Sequence, residues 1–92
     1  MGTKANPAKW DCYKHAEPDE PMFVLLGRDP AASLTVLFWV KMRLAFGESA
    51  DAAKLQEAEE VAKELEKWAI KKGKQDKVRM ALAVMKSLLR EL

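Results

Sequence analysis

The chain carries one cysteine and one histidine in 92 residues. A lone cysteine excludes an internal disulfide and fits a reducing compartment. Zinc sites draw on three or four ligands, which one Cys and one His cannot supply. Cys12 and His15 stand in C-x-x-H spacing, and only a dimer pooling two halves, or help from Asp11 or Glu17, could complete a set around them. Used as a nucleophile and base, the same pair has no orienting third group and no oxyanion donors nearby. No metal, no cofactor and no enzymatic activity are therefore expected.

Charge of one sign is scarce too. Sixteen basic and fourteen acidic residues leave a net charge of +2, too balanced to argue for nucleic acid or an anionic membrane. The apolar stretch Leu34–Val40 has seven residues, far short of the ~20 that span a bilayer. "MGTKANPAKW" has no apolar core of the kind a secretory signal carries. The expectation is a soluble, cytoplasmic protein with no membrane partner. Glycine and proline number four each, against 49% hydrophobic and 33% charged residues. That composition belongs to a folded chain and not to a disordered one. Its length sets a single domain, near the lower limit for holding a core unaided.

What is present reads as mainly α. Residues 1–9 are polar and form a flexible arm, leaving 10–92 as one helical domain. Residues 10–28 hold Pro18 and Pro21, which block helix and favour extended chain. "MFVLL" at 22–26 is rich in β-formers and predicts a short extended or β segment. It could pair with residues 10–15 as a hairpin, pack over helices, or pair with another copy of the chain. Asp29 is a good N-cap and Pro30 suits a first helical turn, so the first long helix is expected over 30–46, stopped by Gly47. Its centre, "LTVLFWV", is apolar nearly all round, which predicts a buried helix. A chain this small has little to bury it with, and this points to a homo-oligomer.

A second helix is expected over 50–72, capped by Ser49 or Asp51 and ended by Gly73. Leu55, Ala58, Ala62, Leu65 and Trp68/Ala69 make one stripe along it, and its alanines permit close helix–helix approach. A third, over 77–92 after Asp76, carries Val78, Leu82, Met85, Leu88/Leu89 and Leu92. Helices two and three make a long αα-hairpin.

Three groups of residues invite a functional reading. "GRDPAA" resembles a turn that opens a helix onto phosphate, with Arg28 as a forked donor. Asp29, however, occupies the position an anion would take, and no second glycine or G-K-[ST] follows, so capping is the preferred reading. The run Lys71, Lys72, Lys74, Lys77 and Arg79 could follow a phosphate backbone, although lysines at a helix C-terminus also complement its dipole. "VRMALAVMKSLL" has too few polar side chains to read bases, which excludes sequence-specific DNA binding. Trp10 and Tyr13 lie beside Lys9, Lys14 and His15, a mixture suited to a stacked, charged ligand or an interface hot spot. The plainer alternative is that the rings cover the edge of the first long helix.

"EPDEPMFVLLGRDPAA", the apolar aromatic helix after it and "AEEVAKELEKWA" resemble small proteins of tailed bacteriophages and prophages with an E-P-x-F-x-L-x-x-R-D-P-x-A core. The likeness runs from about Tyr13 to Trp68 through Glu20-Pro21, Phe23, Leu25, Arg28-Asp29-Pro30 and Trp68. Ser33 stands where that family often has proline, and the last twenty or so residues look like an extension. The resemblance implies a phage setting and no chemistry. It suggests an accessory protein that binds a host defence component or its nucleotide signal stoichiometrically, with Trp10, Tyr13, Lys14 and Arg28 as candidate contacts. The other expectation is a structural or assembly homo-oligomer with no ligand. Arg28 discriminates between them: buried against Asp29 or a carbonyl it is structural, while in an open concavity with Trp10 or Tyr13 it serves binding.

Overall fold

The structure, a computed structural model, describes residues 2–7 and 11–91, with the side chain of Glu91 left aside. Among them are four helices and no β-strand: α1 (Cys12–His15), α2 (Ala32–Ala45), α3 (Ala53–Lys71) and α4 (Gln75–Glu91). Residues 10–28 are not wholly extended as expected, because Asp11 accepts from the Tyr13 N–H at 3.1 Å and starts the single turn of α1. A hairpin between 10–15 and 22–26 is thereby excluded, since residues 12–15 spend their backbone on that turn. A second turn follows, with the Glu20 N–H donating to the Glu17 carbonyl at 3.1 Å.

Asp29 does not cap the helix as expected; it closes a turn ahead of it, and the N-cap position of α2 falls on Ala31, which has no side-chain cap. The Asp29 Oδ1 accepts from the Ala31 N–H at 2.9 Å and its carbonyl from the Ala32 N–H at 3.0 Å. Pro30 and Ala31 form a turn, and regular helix begins at Ala32. At the far end, Gly47 (φ 99°) lets its own N–H reach the Leu44 carbonyl and the Glu48 N–H reach the Arg43 carbonyl. That pair of bonds satisfies carbonyls a helix end leaves open. An Arg43–Glu48 ion pair straddles the same end.

Neither Ser49 nor Asp51 caps α3. The Ser49 hydroxyl accepts from the Asp51 N–H at 3.1 Å within its own turn, so the helix starts later, at Ala53. α3 ends as α2 does: Gly73 (φ 82°) allows the Lys74 N–H to reach the Ala69 carbonyl at 3.0 Å. α4 begins at Gln75, two residues before the expected start, which puts Asp76 inside the first turn, where its charge favours the helix dipole. A Cβ at Gly73 meets nothing within 4 Å, so the cost of Gly73→Ala is conformational alone. We expect it to destabilise the fold by about 1–2 kcal/mol in a urea melt.

The core is the α2–α3 contact. α3 buries Leu55, Ala58, Ala62 and Ala69 on one stripe, and α2 buries Ala32, Ser33 and Val40. Small side chains on both helices bring the backbones close, but they bury little area. Leu37 and Met42 of α2, and Phe46 at its C-cap, remain open to solvent. α4 joins by Val78, with Ala81 and Met85 half-buried, and leaves Leu88 and Leu89 about half exposed. No helix among the described residues is long and apolar enough to cross a membrane.

Candidate functional site

The loop at 25–28 lies against the C-terminal part of α3 because Gly27 has no side chain. A Cβ there would stand 3.1 Å from Cγ and Cδ1 of Trp68, closer than ordinary van der Waals contact. The Lys74 ammonium, on the turn between α3 and α4, donates to the Arg28 carbonyl at 2.6 Å and ties the loop down. Between loop and helix runs an open cleft of about 760 Å³.

The wall of the cleft is apolar, from Leu25, Leu26, Val61 and Leu65. Across it lies the Trp68 indole, 48% exposed. Lys72 Nζ sits 5.1 Å from the centroid of that ring and Lys71 Nζ 5.7 Å, within cation–π range. Arg28, Lys72, Lys74 and Lys4 line the cleft, and Glu64 is the one acidic residue in its lining. Among the described residues Arg28, Lys72 and Lys74 have no carboxylate partner; the ion pairs are Arg43–Glu48 and Lys63–Glu60. Lys72 and Lys74 follow the C-terminus of α3, where the helix dipole welcomes a cation, but they also face the N-terminus of α4, where it does not.

Arg28 thus lies in an open concavity, without the two other expected contacts that the structure describes, Tyr13 and Lys14. Tyr13 is 79% exposed on α1 and, like Lys14, does not line the cleft. Trp10 lies outside the described residues. The ring beside Arg28 is Trp68, a residue that the sequence places on the core stripe of α3. The signal was legible as Trp68 followed at three, four and six residues by Lys71, Lys72 and Lys74, one aromatic among cations at the end of a helix.

A second cavity of about 460 Å³ lies by α1, lined by Cys12, His15, Phe23 and Lys54 among others. The Cys12 thiol is free and exposed. Among the described residues no three His, Cys, Asp or Glu side chains come together as a metal-binding group. Trp39 is flanked by Arg43 at 5.6 Å and Lys54 at 5.7 Å from its ring centroid, an arrangement that joins the end of α2 to the start of α3. Comparison with protein-family models, curated proteins and solved structures finds no match for the chain.

Proposed function

We propose that the chain is a non-enzymatic, phage-encoded accessory protein that acts by stoichiometric binding, and that its ligand is a phosphorylated, ring-bearing molecule of the nucleotide class, such as a host signalling nucleotide. One observation carries the reading: an exposed indole beside cations that no carboxylate neutralises. A nucleotide needs both halves of that surface. Its base stacks on an aromatic face, and its phosphates take charge-assisted hydrogen bonds from Arg and Lys. An apolar wall and one acidic neighbour suit such a ligand better than a bare inorganic anion, which would make no use of Trp68. The phage setting comes from the resemblance of residues 13–68 and is part of the proposal.

Isothermal titration of the full chain with ATP, with a cyclic dinucleotide and with inorganic phosphate tests it. The expected result is saturable binding of a nucleotide at one equivalent per cleft, weakening as salt rises, with the nucleotide recovered unchanged. Phosphate alone binding as well as either nucleotide would remove the role given to Trp68. Absence of binding by all three at about 1 mM, an affinity of only ~4 kcal/mol, would leave the second reading, a structural homo-oligomer without a ligand. That reading draws on a different observation, the exposure of Phe23, Val24 and Phe46.

A further inference from the structure

We infer that residues 20–26 are a homotypic docking strand, pairing antiparallel with the same segment of a second copy of the chain about a two-fold axis at Val24, with the Gly27–Arg28 turn flanking each end of the ladder. From Glu20 to Leu26 the chain runs without turn or bend. Between the turn closed by the Glu20 N–H and the one closed by the Asp29 N–H, the backbone groups of Met22–Leu25 have no hydrogen-bond partner among the described residues. The segment's apolar side chains are exposed: Phe23 at 84%, Val24 at 62%, and Leu26 beyond them at 48%. A row of free N–H and C=O groups under β-forming side chains is a template for adding a strand.

The sequence of the segment names the occupant. Counted outward from Val24, "EPMFVLLGR" is complementary to its own reverse. Antiparallel pairing sets Val24 on Val24, Phe23 on Leu25, Met22 on Leu26 and Pro21 on Gly27. Just beyond each end of the ladder it brings Glu20 toward Arg28, which stands in the turn that follows Leu26. Opposite charges on facing positions stabilise such a pair and like charges oppose it. Pro21, with no N–H, ends the ladder where the apolar run ends. Glu20 has one carboxylate oxygen on the Glu17 N–H at 3.0 Å, which leaves the other free.

The area of the chain agrees. A compact protein of 10.4 kDa exposes about 5,400 Å², whereas this one exposes 7396 Å². Its radius of gyration is 14.0 Å, against about 12 Å for this length. The exposed arm at 2–7 accounts for part of the excess. The whole excess, roughly 2,000 Å², is larger than the ~800 Å² each partner buries in a stable interface. In the paired ribbon Phe23 of the second copy falls beside Leu25, on the apolar wall of the cleft. Arg28 serves both surfaces, since a guanidinium has five donors to share between Glu20 and a ligand. The two surfaces share Leu25 and Arg28, but the test of pairing needs no ligand, because its readout is mass.

Light scattering and sedimentation on the full chain test it, with far-UV circular dichroism as the control for folding. The wild type is expected at twice 10.4 kDa. Glu20→Arg alone and Arg28→Glu alone are each expected to raise the dissociation constant at least about tenfold. The double variant, with the pair inverted, is expected to restore it. A monomeric wild type, or an oligomer whose mass neither reversal changes, overturns the inference. Should a reversal fail to fold, Val24→Cys in a Cys12→Ser background decides. A residue on the two-fold axis faces its own copy, so mild oxidation should give a covalent dimer, and a chain that stays monomeric overturns the pairing.

Discussion

Leu55→Ala is expected to destabilise the fold by about 2–5 kcal/mol, the range for a buried leucine whose cavity only partly collapses. Among the described residues Leu55 is the one large side chain that is fully buried, at 1% exposure; the rest of the core is Ala32, Ala58, Ala62, Ala69, Val40, Val78 and Ser33. A buried core in which alanine predominates has few long side chains to swing inward and refill the space, which places the effect toward the upper part of that range. A chain of 92 residues has a total stability on the order of 5–14 kcal/mol. A core this poor in large side chains belongs at the low end, so the variant is expected to be substantially unfolded at 37 °C. Urea unfolding at fixed chain concentration measures it. A loss below about 1 kcal/mol would mean that the α2–α3 contact does not hold the fold and that assembly does.

Trp68→Ala combined with Lys72→Glu is expected to abolish nucleotide binding while the fold persists. Stacking of a base on an aromatic ring contributes about 1–3 kcal/mol, and a charge-assisted hydrogen bond about 1.5–3 kcal/mol. Each single change should therefore weaken binding roughly tenfold to a hundredfold, and the pair should take a micromolar ligand out of measurable range. Lys72 is exposed, and Trp68, half exposed, packs against the Gly27 loop and not within the α2–α3 core, so circular dichroism of each variant checks that the fold persists. Trp68→Phe keeps a stacking face and should retain most of the affinity. Titration calorimetry of the four proteins separates the contributions. Affinity unchanged in Trp68→Ala would place the ligand elsewhere, and then the cavity beside Cys12 and Phe23 is the next place to look. Since neither substitution lies in residues 20–28, a loss of binding at unchanged mass separates the cleft from the docking strand.

Local rules carried most of the secondary structure. The two glycine stops came out at Gly47 and Gly73, because a left-handed residue after a helix is a property of a few neighbouring atoms. Leu55, Ala58, Ala62 and Ala69 form the buried stripe of α3 as their spacing predicts. The starts of helices were harder. Asp29, Ser49 and Asp76 are all good caps by type, yet one opens a turn before its helix, one closes its own turn, and one lies within the helix. A short polar side chain can bond to any of several nearby N–H groups, and its identity does not say which. The single turn of α1 depends on one such bond from Asp11, and the prolines downstream concealed it.

Charge balance, the lone Cys–His pair and the mainly helical pattern follow from residue types and spacings along the chain. Those quantities are local or summed, and no knowledge of packing is needed to obtain them. The cleft is of another kind. It exists because Gly27, forty-one positions before Trp68, admits the indole, and because Lys74 reaches back to the Arg28 carbonyl. Arg28 was legible as a candidate and its company only in part: spacing set Trp68 at the edge of the core stripe, four residues from Glu64 on the solvent side, and packing alone brought the half-exposed ring into one cleft with Arg28. Which side chains share a surface is a relation between segments far apart in sequence, and it arises only when α3 turns at Gly73 and the loop at 25–28 closes over its end.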